Sequence, residues 1–314
     1  MINENALGNQ KHQNEWLASF LKAFENSDLA ALHELRVEIY RETIEIVKNG
    51  RYCAGNSEVA LPEPTQMMSD TILYATPGKV DVPQQEQPTV INVISEDSLL
   101  AGKKLLDEGY NPIVLNFANR QTPGGGVTRG AGAQEENIFR RSNLFMSLYQ
   151  FHYHGVELGI PQRQEQYPMD RNTGSAYSPN ITVFRGLETE GYPLLEQPYS
   201  LGIVTVAAMN RPQLKDANHI AEHLVEPVRQ KIRTIFRIAL KHGHDAIVLG
   251  AWGCGAFKNP PQHIARLFHE VMDENEFFNR FKKVTFAIID RHKIDIRDGK
   301  SGNMIPFLED FSIK

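Results

Sequence analysis

The stretch from 116 to 136, Asn-Phe-Ala-Asn-Arg-Gln-Thr-Pro-Gly-Gly-Gly-Val-Thr-Arg-Gly-Ala-Gly-Ala-Gln-Glu-Glu, constrains the fold more than any other part of the chain. An apolar run, Ile113-Val114-Leu115, feeds it, and an amphipathic stretch from Ile138 to Tyr149 follows. That order reads as strand, backbone-rich loop, acid pair, helix. Glycine triplets are costly to order. They persist mainly where φ must be positive, or where a backbone or ligand comes closer than a Cβ permits. Gly124, Gly125 and Gly126, followed by Gly130 and Gly132, imply either a mobile linker or a loop that presents several unpaired N–H groups to one point, as a phosphate or pyrophosphate requires. The apolar segments on both sides would hold the loop's ends and weigh against the linker. Two familiar phosphate loops do not fit. Arg129 stands three residues after Gly126, which breaks G-x-G-x-x-G, and no G-x-x-x-x-G-K-[ST] string occurs.

A chain of 314 residues with 41% hydrophobic content can bury a substantial core. Its formal net charge of -5 gives no electrostatic reason to expect direct binding of duplex nucleic acid. A small anion held by backbone N–H groups is compatible with that balance. The two cysteines, Cys53 and Cys254, lie far apart, so a disulfide scaffold is not indicated. With no signal peptide and no run of about 18 apolar residues, the expectation is a cytoplasmic protein without a membrane span.

Around this unit the chain reads as one compact α/β arrangement. Residues 15–49 predict two helices: Trp16, Leu17, Phe20, Leu21 and Phe24 form one apolar face, Asp28 is an N-cap, and the second helix ends at Gly50. From Cys53 to Gln87, loops or an edge hairpin are expected. Thr89 to Ile94 reads as a buried strand followed by a helix at 98–108, and strand–helix–strand order predicts parallel pairing through a right-handed crossover. Asp97 is then either a helix N-cap or a ligand contact beyond a strand's carboxyl end. From His152 to Pro198 a long loop-rich stretch is expected, containing a strand near Tyr177–Phe184. His152 and His154 read as surface or loop histidines, since no further ligands at metal spacing accompany them. Leu201–Ala208 predicts a strand, 219–242 a long helix, Ala246–Leu249 a strand, and Val284–Ile289 the last strand.

A second glycine loop, Gly250 to Phe257, follows the strand at Ala246–Leu249 and precedes a helix opened by Pro260 and Pro261. It is either a tight turn or a second phosphate cradle, and two such loops could hold one diphosphate. Phe257 reads as core or as a lid over a sugar. Cys254 reads as a small residue in a turn, because no His or Asn pattern accompanies it as a nucleophile would need.

Gly-Gly-Gly, seven residues, then Gln-Glu-Glu resembles the signature of the microbial-type poly(ADP-ribose) glycohydrolases, whose catalytic core is a macrodomain. Asn116-Phe-Ala-Asn119 resembles that family's strand end, Arg140-Arg-Ser-Asn-Leu its next helix, and Leu249-Gly-Ala-Trp-Gly-Cys-Gly-Ala-Phe-Lys-Asn-Pro260 its second glycine loop. Lys258 departs from the pattern, where a small residue is expected, and the charged loop 291–303 is a second departure.

The resemblance implies a macrodomain-like α/β fold: a mixed, largely parallel sheet flanked by helices, with an N-terminal helical extension. Residues 1–88 would form that extension with its connecting loops, and 89–314 the catalytic part. The extension would help close over the ligand's ribose. The resemblance also implies poly(ADP-ribose) as substrate and ADP-ribose as product; no cofactor is expected, and no metal is indicated because no ligand pattern accompanies the histidines. Ligand contacts would come from Asp97 at the adenine amino group, from Gly124, Gly125, Gly126 and Val127, and from Gly253, Cys254, Gly255, Ala256 and Phe257.

Glycoside cleavage usually sets two carboxyl groups on opposite sides of the bond. Adjacent side chains cannot easily take those stations, so Glu135 and Glu136 are assigned unequal work. Following the family pattern, Glu136 is the general acid, Glu135 and Asn119 hold the distal ribose hydroxyls, and Gln134 orders the segment. Two solvated glutamates at a helix start are the plain alternative. A non-catalytic ADP-ribose reader, or a hydrolase of mono-ADP-ribosylated substrates, would share the glycine loops.

Overall fold

The computed structural model describes residues 10–290 and 302–311; most of the charged loop 291–303 lies outside them. In chain order the helices and strands are α1 (Gln10–Glu25), α2 (Leu29–Asn49), β1 (Arg51–Ala54), β2 (Ser57–Ala60), α3 (Thr65–Asp70), β3 (Ile72–Tyr74), β4 (Val90–Ile94), α4 (Ser98–Asp107), β5 (Pro112–Phe117), α5 (Gln134–Arg141), α6 (Leu144–Leu148) and α7 (His154–Glu157). There follow β6 (Ser175–Arg185), β7 (Leu194–Val206), β8 (Leu214–Asp216), β9 (His219–Ile220), α8 (Val225–Lys241), β10 (Ala246–Leu249), α9 (Pro261–Met272), β11 (Lys283–Ala287) and α10 (Met304–Phe311). Seven strands form one sheet in the order β3-β6-β7-β5-β10-β11-β4. Neighbours from β7 through β5, β10 and β11 to β4 run parallel, while β3 and β6 are antiparallel. The mixed, largely parallel α/β sheet expected from the sequence is therefore present.

The chain divides into two compact units. One comprises residues 1–71, 121–167 and 178–201, and the other 72–120, 168–177 and 202–314. In the first, Asp28 caps α2 by accepting the Ala31 N–H, and Gly50 ends it in the left-handed region at φ 67°. Trp16 and Phe20 of α1 pack with Leu32 and Ile39 of α2 around the buried Tyr192. Leu21 and Phe24 do not join this face: they stand exposed, because the partner helix covers only one stripe of α1.

In the second unit, Ile113 and Leu115 of β5, Ile247 and Leu249 of β10, and Val284 and Phe286 of β11 pack against the apolar sides of α8 and α9. Arg229, Arg233 and Arg237 of α8 meet Glu270, Glu274 and Glu276 in three ion pairs along that edge of the core. The C-terminal segment packs back on this unit, with Phe307 fully buried and Phe311 stacked on Phe286.

Four expectations change. The stretch after the acid pair is not one helix but α5 and α6. Between them Ser142 is extended, and its hydroxyl donates to the Ile138 carbonyl and accepts the Leu144 N–H, competing with the helical ladder. β4 is a half-buried edge strand paired to β11, with β10 and β11 between it and β5. The stretch 152–198 holds the whole of β6, longer than the strand expected near Tyr177–Phe184, and the start of β7. The long helix begins only at Val225, after the β8–β9 hairpin.

Lys231 on α8 is only 3% exposed, and burial pushes its amine down to about 8, with Arg120 and Arg171 pulling the same way against Asp170. The unfolded chain keeps that proton to near 10.5. The cost is therefore complete below about pH 8 and fades as pH rises from there toward 10.5. Lys231→Met is expected to raise unfolding stability at pH 7 by up to about 3 kcal/mol. Denaturant titrations at pH 7 and pH 9.5 check this: the gain should shrink at the higher pH, and an equal gain at both would remove the charge as its cause.

Candidate active site

Glu135 and Glu136 open α5, with Ala133 as its extended N-cap, so both acids lie within the first helical turn rather than ahead of it. Both are buried, at 3% and 7% exposure, which the picture of two solvated glutamates does not allow. The glycine triplet explains how two adjacent carboxylates can be buried. The Gly124 N–H donates to Glu135 Oε1 at 3.0 Å, and the Gly126 N–H donates to Glu136 Oε1 at 2.8 Å. Between them the Gly125 N–H donates to the Thr122 carbonyl, and the Val127 N–H to that of Gly124.

This corrects the reading of the loop as a set of unpaired amides for a phosphate: its N–H groups hold the acids. Each glycine is required by what crowds it. A Cβ on Gly124 would stand 2.6 Å from the Phe139 ring, one on Gly125 2.5 Å from Glu136 Oε1 and 3.1 Å from Glu135 Oε2, and one on Gly126 2.8 Å from the Ala131 methyl. Gly124 and Gly125 also have positive φ, 78° and 53°.

The two oxygens of Glu136 differ. Oε1 is fixed by the Gly126 amide, whereas Oε2 is buried with no hydrogen-bond partner among the described residues. A buried carboxyl oxygen without a donor is costly, and a catalytic role is one of the reasons such a group is retained. The Glu135 charge helps burial hold the hydroxyls of Tyr167 and Tyr149 in the protonated state.

The second glycine loop is built the other way. Gly253 has φ 77°, and a Cβ there would meet Ala208 and Asn259. Asn259 ties the loop down, its Nδ2 donating to the Met209 and Gly253 carbonyls at 2.7 and 3.0 Å. Trp252 Nε1 donates to the Val206 carbonyl at 3.0 Å. Gly255 and Ala256 are exposed, a Cβ on Gly255 would meet nothing within 4 Å, and the N–H groups of Gly255, Ala256 and Phe257 have no acceptor among the described residues. Successive free amides on an anchored loop suit an anionic oxygen. Phe257 is half-buried against the core of its unit. Lys258 occupies the left-handed region at φ 57°, which explains why a small residue looked more natural there.

Within this same unit, the carboxyl ends of the parallel strands β4, β5 and β10 share one edge of the sheet. Asp97, Asn119 and the loop 250–257 follow those ends directly. Asp97 is an N-cap, accepting the Leu99 and Leu100 N–H groups at 3.1 Å each. Cys254 is buried, and burial pushes its thiol up, away from thiolate chemistry.

His152 lies in a loop, one of the two settings expected of it, but it is not at the surface. It is 7% exposed, its ring 4.5 Å from that of His154, and burial pushes its imidazole down to about 4. No group of three or more His, Cys, Asp or Glu side chains able to hold a metal occurs among the described residues. None of the described helices is long and apolar enough to cross a membrane. Arg36, Arg140, Glu188 and Tyr192, which surround the acid loop, were not legible as a group. They are spread over 157 positions, numbered 36 to 192, and carry no local motif.

A family model described as microbial-type PARG (poly(ADP-ribose) glycohydrolase), catalytic domain, matches residues 40–186. No curated protein matches the sequence. Among solved structures, poly(ADP-ribose) glycohydrolase from Thermomonospora curvata is 32% identical, with a TM-score of 0.72 over 88% of this chain and 99% of that one. The same enzyme bound to the inhibitor ADP-HPD gives 31% identity and a TM-score of 0.70 over the same shares. The glycohydrolase from Deinococcus radiodurans in complex with ADP-ribose is 27% identical, with a TM-score of 0.62 over 81% of this chain and 99% of that one. With this identity over nearly the full length of a relative, on a macrodomain-like sheet, the chain belongs to the microbial-type poly(ADP-ribose) glycohydrolase family.

Proposed function

We propose that the chain cleaves the ribose–ribose O-glycosidic bonds of poly(ADP-ribose) to release ADP-ribose, with Glu136 as general acid and attack from the chain end. One observation carries the acid assignment: Glu136 has one oxygen fixed by the Gly126 N–H and the other buried without a partner among the described residues. The fixed oxygen sets the orientation, and the second is available to hand a proton to the departing ribose oxygen while positive charge develops on the distal ribose. The same carboxylate then assists water. Glu135, held by the Gly124 N–H, and Asn119 take the distal ribose hydroxyls, and Gln134 orders the start of α5. The free amides of Gly255, Ala256 and Phe257 receive the diphosphate, whose charge stabilises the oxocarbenium-like centre. Gly253 and Cys254 shape that turn, Phe257 covers the sugar, Asp97 accepts from the adenine amino group, and the backbone of Gly124 to Val127 borders the scissile bond.

Two buried acids with assigned amides favour an enzyme over a reader, which needs no proton donor. A cytoplasmic setting belongs to the same proposal and is supported by two cysteines that are both free. The test is incubation with separately prepared poly- and mono-ADP-ribosylated protein, with products identified by mass at early times. Monomeric ADP-ribose from the polymer is expected from the first turnover. Oligomeric first products would overturn attack from the end, and release from the mono-modified protein alone would overturn the substrate.

A further inference from the structure

The loop between the glycine triplet and the acids is anchored from outside by a continuous chain of hydrogen bonds. Glu136 Oε1 accepts the Gly126 N–H at 2.8 Å, and the Gly126 carbonyl accepts the Ala131 N–H at 3.1 Å. The Ala131 carbonyl accepts Arg140 Nη1 at 2.8 Å, and Arg140 Nε donates to the Tyr192 hydroxyl at 2.7 Å. That hydroxyl donates to Glu188 Oε1 at 2.9 Å, and Arg36 Nε of α2 donates to the same oxygen at 2.8 Å. Asn137 Nδ2, on α5 beside the acids, also donates to the Tyr192 hydroxyl at 3.2 Å. The hydroxyl thus gives one bond and takes two, its full capacity, at a residue with 0% exposure.

Two independent features mark this hub. Tyr192 is held at φ 53°, a left-handed backbone that a bulky side chain adopts only under constraint, and such strain concentrates at functional sites. The loop also has no room to move toward α2. A Cβ on Gly130 would fall on the His33 backbone, and one on Gly132 would lie 2.5 Å from the Arg36 guanidinium carbon. Burial pushes the Glu188 carboxyl up, but the hydrogen bond and charge of Arg36, the charge of Arg140 and the Tyr192 hydroxyl outweigh it and hold it below the usual carboxylate range. The hub is therefore ionic at neutral pH.

We propose that Tyr192 is a positioning residue for the reaction: through Arg140 it fixes the 126–131 loop that aims Glu136, and through Glu188 and Arg36 it makes that aim depend on helix α2. Tyr192 touches no reacting atom in this scheme. Its loss therefore lowers the rate of the chemical step and leaves substrate affinity in place. The proposal rests on Glu136 as the acid.

The test compares Tyr192→Phe, Arg36→Ala and Arg36→Lys in the full chain, with kcat, KM and Tm measured for each. Tyr192→Phe should lower kcat about tenfold with KM within about twofold, Arg36→Ala should act in the same direction, and Arg36→Lys should recover part of the loss. In a Glu136→Gln background, the Tyr192→Phe effect on residual turnover should fall below about twofold, since the loop then has no acid to aim. Unchanged kcat in a folded Tyr192→Phe protein would overturn the proposal. So would an Arg36→Ala loss that merely tracks unfolding, or the same tenfold effect with and without Glu136. Wild-type turnover in Glu136→Gln alone would instead overturn the acid assignment, so the two failures are distinguishable.

Discussion

Glu136→Gln is expected to lower turnover of poly(ADP-ribose) by roughly 10²- to 10⁴-fold, the range that a positioned general acid contributes, while ADP-ribose binding and the folded state persist. Gln is nearly isosteric, and its amide oxygen can still accept the Gly126 N–H that Glu136 Oε1 accepts at 2.8 Å. The loop then keeps its geometry. What changes is the other atom, where an NH₂ group replaces the buried, unpartnered Oε2 and cannot transfer a proton to a leaving alkoxide. Discontinuous assay of released ADP-ribose gives the rate, and calorimetry with ADP-ribose gives the affinity. Loss of affinity in proportion to rate would make Glu136 a binding residue.

Gly125→Ala is the second large effect. The new methyl would stand 2.5 Å from Glu136 Oε1 and 3.1 Å from Glu135 Oε2, at a backbone φ of 53°. The left-handed conformation alone costs about 1–2 kcal/mol for a residue with a Cβ. Neither carboxylate can withdraw without giving up the Gly124 or Gly126 amide that holds it. A displacement of the acid of about 1 Å is enough to cost about 10²-fold in rate, so kcat is expected to fall by that order together with a modest drop in Tm. Steady-state kinetics and thermal unfolding on one preparation check both. Wild-type kcat would show that the acids do not need the approach this glycine permits.

The positions of these residues were legible in the sequence to different depths. A glycine triplet announces that Cβ atoms are excluded, but not by what. Here the excluding groups are a phenyl ring, a carboxylate and a methyl of the same segment. For that reason the triplet reads in the sequence as a linker or a phosphate cradle, while the amides without an acceptor among the described residues belong to the second loop, at Gly255 to Phe257. The strands β10 and β5 and the caps at Asp28 and Gly50 were readable because apolar runs and capping residues act locally. The edge position of β4 was not, since it depends on β10 and β11 pairing between β4 and β5 from much later in the chain. Tyr192 gave no sign either. An aromatic residue does not announce a left-handed backbone, and its partners Arg36, Arg140 and Glu188 meet only in the folded chain.

The proton donated through Glu136 is tested most directly by varying the leaving group. Glu136→Gln and the parent protein are compared on poly(ADP-ribose) and on an aryl ADP-riboside, whose acidic phenol departs without protonation. The loss caused by Glu136→Gln should be at least about tenfold smaller on the aryl substrate than on the polymer. An equal loss on both would contradict the assignment of Glu136 as the acid.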